Sequence, residues 1–94
     1  MSRESIKNAI ERVKNDIAKK RAEIASLRAQ KSADSARYTA QISNARDATA
    51  KANYRRQKAD SAAGYARRIS VHQNSIAGLQ QYLAQLRAEL AQTK

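Results

Sequence analysis

The residues of this chain able to do chemistry are few, and most of them are cations. There is one histidine, His72, with eight carboxylates and no cysteine. His72 falls on an aliphatic helical stripe, where an imidazole serves as a packed polar residue that sets register rather than as a base or ligand. The carboxylates Glu4, Glu11, Asp16, Glu23, Asp34, Asp47, Asp60 and Glu89 lack the paired Glu and Glu-x-x-His spacing of a helical di-metal site. Glycine-rich phosphate loops and nucleophile motifs are also missing. The expectation is a protein that is not an enzyme, with no catalytic residue, no metal ligand, no cofactor and no small-molecule substrate.

The cations offer phosphate chemistry instead. Between Arg37 and Arg68 the chain places Arg37, Arg46, Lys51, Arg55, Arg56, Lys58, Arg67 and Arg68 against only Asp47 and Asp60. Tyr38, Tyr54 and Tyr65 lie in the same stretch, and a tyrosine can stack on an unpaired base or hydrogen-bond a phosphate. The formal net charge of +11 favours an anionic partner. The candidate contact set is therefore Arg37, Arg46, Lys51, Tyr54, Arg55 and Arg56, continuing with Lys58, Tyr65, Arg67 and Arg68. Its natural ligand is nucleic acid held through phosphates with little sequence readout; an anionic membrane ranks behind it. Set against this, the same arginines could simply solvate an alanine-rich stalk across which the tyrosines pack.

Two amphipathic arms must position that stretch. Ile6, Ile10, Val13, Ile17, Ile24 and Leu27 recur at alternating spacings of four and three, with Lys20 at the polar step between Ile17 and Ile24. Ile69, Ile76, Leu79, Leu83, Leu86 and Leu90 repeat the pattern with His72 in the stripe. Such a/d spacing puts each set on one helix face. Proline is absent, glycine appears twice, and period-two alternation is missing, so the chain reads as all-α.

The two stripes mirror each other about residue 48, which predicts an antiparallel two-helix hairpin of coiled-coil type: a helix over about 3–46, a turn over about 47–53 and a helix over about 54–92. Asp47, Thr49 and Asn53 are the poorest local helix formers and suit a turn. Two rivals stand beside the hairpin. One is an unbroken helix carried through Ala45, Ala48 and Ala52; the other is a three-helix bundle turning at Lys31–Ser35 (KSADS) and Asp60–Gly64 (DSAAG).

A two-helix seam is expected to leave its aliphatics half exposed, so the hairpin should dimerise into a four-helix bundle or pair with a helical partner. The twelve aliphatics named above are then the association seam. The N-terminal MSRESIKNAIERVK has no signal-peptide apolar core, and no apolar run approaches the ~20 residues of a membrane span; the expected location is cytoplasmic.

The text YARRISVHQNSIAGLQQYLAQLRAEL, following a Ser- and Ala-rich middle, resembles the helical-hairpin coiled coils of some bacterial proteins, including segments that precede TIR-type domains. That resemblance implies an assembly module of a bacterial protein.

Overall fold

The computed structural model describes residues 2–93 and contains two helices, α1 (Arg3–Asn44) and α2 (Ala48–Gln92). They pack against each other as an all-α helical hairpin, with no strand among the described residues. Both KSADS and DSAAG are helical, which excludes the three-helix bundle, and the break at residues 45–47 excludes the unbroken helix.

Each helix starts at a side-chain cap. The Ser2 hydroxyl accepts the Ser5 N–H at 3.1 Å, and the Asp47 carboxylate accepts the Ala50 N–H at 2.7 Å. Both satisfy amides that an α-helix leaves without internal partners. Glu4 in the first turn of α1 adds favourable charge against the helix dipole.

The reversal occupies residues 45–47, earlier and shorter than the expected 47–53. Asp47 does act at the reversal, but as the N-cap of α2, so Thr49 and Asn53 lie inside the helix. Their weaker propensity costs only about 0.5 kcal/mol each, less than breaking helical hydrogen bonds would. The last turn of α1 closes as the Ala45 N–H is shared between the carbonyls of Gln41 (3.0 Å) and Ile42 (3.4 Å). No described residue has a positive φ.

The chain divides into two compact units. In the unit of residues 2–24 with 71–93, Ile6, Ala9, Val13, Ile17 and Ile24 are buried together with Ile76, Leu83 and Leu86. Ile10, Leu79 and Leu90 are half-buried; between Ile6 and Val13 it is Ala9 that is fully covered. The expectation of half-exposed aliphatics therefore fails for most of the seam: Ile6 keeps 1% of its surface and Leu86 2%. The long side chains of Lys14, Arg21, Gln80 and Arg87 wall the groove around Ile17 and Leu83, as charged residues do when their stems lie on apolar surface. In the same unit Arg3 donates to the carbonyls of Leu90 (3.0 Å) and Thr93 (2.6 Å). A cation there satisfies acceptors exposed at the end of α2 and opposes its dipole.

In the second unit, Ala25–Ser70, only Leu27 and Ile69 are buried. From there to the reversal the half-buried seam is mostly polar. On α1 the stripe runs through Lys31, Asp34, Tyr38 and Gln41 beside Ile42 and continues to Ala45 in the reversal, and on α2 it runs through Lys51, Tyr54, Lys58, Ser61 and Tyr65. The α1 set keeps a heptad rhythm. On α2 the successive four-residue steps from Ser61 to Tyr65 and from Tyr65 to Ile69 form a stutter, which locally unwinds a coiled coil.

Candidate anion-binding surface

The polar seam of the Ala25–Ser70 unit sets the positions of its cations. Tyr65 donates its hydroxyl to Asp34 Oδ2 at 2.8 Å, and Arg37 pairs with Asp34 Oδ1 at 3.7 Å. The hydrogen bond to Asp34 raises the Tyr65 pKa above the usual 10.0; burial and the Asp34 charge act in the same direction, against opposing pulls from Arg68 and Arg37. The guanidinium of Arg68 stands 5.8 Å from the Tyr65 ring centroid and that of Arg37 5.1 Å from the Tyr38 ring centroid, both within cation–π range. Asp34, Asp60, Ser61, Gly64, Tyr65 and Arg68 line one recess. Both mid-helix carboxylates of the unit thus lie on that side.

A different side of the same unit carries no carboxylate. An open groove of about 580 Å³ is lined by Arg28, Lys31, Ser32, Ser35, Ala36 and Thr39 of α1. From α2, Lys58 reaches the Thr39 hydroxyl at 2.9 Å, and Thr39 in turn donates to the Ser35 carbonyl at 2.9 Å. Lys51 and Arg55 precede Lys58 at helical spacing and share its stripe. The third carboxylate of the unit, Asp47, is engaged at the cap of α2.

The ten candidate contact residues do not form one patch. Lys51, Arg55 and Lys58 follow the carboxylate-free side, whereas Arg37 and Arg68 flank Asp34. Arg56 and Arg67, eleven residues apart, share a stripe directed away from the seam. Arg46 sits exposed in the reversal. Among the described residues Arg46, Arg55, Arg56, Arg67 and Arg68 make no ion pair, and all five are exposed. Tyr54 and Tyr65 are half-buried, as is Tyr38. Of the three, Tyr65 bonds across the hairpin to Asp34, and the rings of Tyr38 and Tyr65 each face a guanidinium.

Charge counting along the sequence passes over Arg28 and Lys31, because they lie outside the arginine-rich stretch. The signal that finds them is the 4-3-4 recurrence of Arg28, Ser32, Ser35 and Thr39, which puts a cation and three hydroxyls on one helix stripe.

In the other unit, His72 Nε2 lies 3.1 Å from a carboxylate oxygen of Glu23, while its Nδ1 is buried without a partner among the described residues. No group of three or more His, Cys, Asp or Glu gathers among the described residues. No helix among them is long and apolar enough to cross a membrane. Comparison of the chain with protein-family models, with curated proteins and with solved structures finds no match.

Proposed function

We propose that this chain is a non-enzymatic interaction protein, a basic helical hairpin that assembles with an anionic macromolecule. The observation that carries the reading is the contrast between seam and surface. Most of the aliphatic seam is covered within one chain, while Arg46, Arg55, Arg56, Arg67 and Arg68 remain exposed and without ion pairs among the described residues. Unpaired guanidinium groups are suited to oxyanions, which they bind bidentately. Titrating the chain against a labelled oligonucleotide, polyglutamate and phosphatidylserine vesicles at about 50 mM salt tests this. Binding to at least one that weakens steeply with salt supports the reading; binding to none removes it.

Self-association is a second reading, favoured by one feature of the unit of residues 2–24 with 71–93. The exposed large apolar residues Val71 and Tyr82 share a stripe of α2 with Ser75 and Gly78, outside the buried seam. A second hairpin packing on that stripe would complete a four-helix bundle. Sedimentation at micromolar concentration tests it: a folded monomer ends the reading, and a dimer lost on Tyr82→Glu supports it. The same stripe accords with an assembly role like that of the bacterial hairpins this text resembles.

A further inference from the structure

Resting on the anionic-partner reading above, we infer that one face of the Ala25–Ser70 unit binds the phosphodiester backbone of duplex nucleic acid. The face joins Arg28 and Lys31 of α1 to Lys51, Arg55 and Lys58 of α2, the two helices being tied there by the bond from Lys58 to Thr39. The carboxylates Asp34 and Asp60 line a different recess and Asp47 caps α2, so no carboxylate lines the groove itself. Lys31, Lys51 and Lys58 are half-buried, which restricts their stems and reduces the entropy lost on binding.

Hydroxyls supply the second half of a phosphate contact. Ser32, Ser35 and Thr39 line the groove with Arg28 and Lys31, and Ser and Thr donate to phosphate oxygens alongside Arg and Lys. Arg28 and Thr39 stand about 16 Å apart along the helix, which spans about five phosphates of one duplex strand. Chemistry distinguishes this face from a lipid-binding one. A membrane-surface helix needs a broad apolar side, and the exposed large apolar residues Val71 and Tyr82 belong to the other unit. No aromatic side chain lines the groove, so the backbone of a duplex fits it better than unpaired bases.

Two variants that remove equal charge test the placement: Arg28→Gln with Lys31→Gln and Lys58→Gln, and Arg56→Gln with Arg67→Gln and Arg68→Gln. Binding of a labelled mixed-sequence DNA duplex is followed against salt, with circular dichroism reporting helicity. The first variant should bind about tenfold or more weaker, with a log–log salt slope shallower by about three, and the second should keep most of the parent slope. If the first variant loses helicity, Lys51→Gln with Arg55→Gln on the same face decides instead. Equal losses in both variants, or tighter binding to single strands than to duplex, overturn the inference. Binding of polyglutamate or vesicles without duplex also overturns it while leaving the broader reading intact. Binding to no probe removes both.

Discussion

Tyr65 donates a hydroxyl hydrogen bond to Asp34 across the helical seam at 2.8 Å, joining α1 and α2 where no buried aliphatic does so. The neutral phenol is the form that makes this bond, and its pKa is raised above 10.0. The contribution to stability is therefore fully present below pH about 10 and is lost as pH rises through the higher folded value. Tyr65→Phe should destabilise the chain near neutral pH by removing the bond to Asp34. It should also flatten the loss of stability as pH rises above about 10, as followed by urea unfolding. An unchanged alkaline limb in the variant would show that the bond contributes nothing.

The buried seam makes a contrasting prediction. Leu86→Ala removes a side chain that is 2% exposed and should cost about 2–5 kcal/mol, a large fraction of the stability of a small protein. Ser61→Ala, at a half-buried position in the polar stretch, should change stability by less than about 0.5 kcal/mol. Chemical denaturation of both variants measures the difference.

Gly78 is helical, and a Cβ built on it meets no atom within 4 Å. Gly78→Ala should therefore raise stability by about 0.5–1 kcal/mol, mainly by restricting the unfolded chain. If Ser75 and Gly78 receive a second hairpin, the same methyl group should weaken the dimer. Thermal melts at low and high protein concentration separate the two effects.

Among the described residues, the buried polar atoms His72 Nδ1 and Gln41 Oε1 lack partners. His72→Leu continues the aliphatic stripe and leaves Glu23, whose side chain is 55% exposed, in contact with water. It should stabilise the chain by about 1–2 kcal/mol. Gln41→Leu should act in the same direction. Lower urea midpoints for both would mean that these atoms are satisfied by solvent.

Much of the hairpin was legible in the heptad spacing, because Ile and Leu at a/d positions state which face is covered. The mirrored stripes implied antiparallel arms, and Glu23 with His72, Asp34 with Tyr65, and Thr39 with Lys58 meet as a mirror about residue 48 requires. The exact reversal was harder to read, since Asp47, Thr49 and Asn53 are all weak helix formers and only the carboxylate bond to the Ala50 amide distinguishes a cap from a turn. The degree of burial is harder to read, because residues such as Lys14, Arg21 and Arg87 beside Ile17 and Leu83 carry charges that mark them as surface while their stems can lie on apolar neighbours. The cationic face was hidden for a geometric reason. Neighbours such as Arg55 and Arg56 point in different directions around a helix, whereas Arg28 and Lys58, thirty residues apart in the sequence, are brought to one side by the fold.

The reversal at residues 45–47 uses no left-handed backbone conformation, and its one specific requirement is a capping acceptor at position 47. Arg46, exposed between the helices, is therefore free to vary as far as the fold is concerned. Descendants of this sequence could alter that corner, or lengthen it, without renegotiating the helices on either side, so it is a place where new contacts could be tried at little risk to the rest of the molecule.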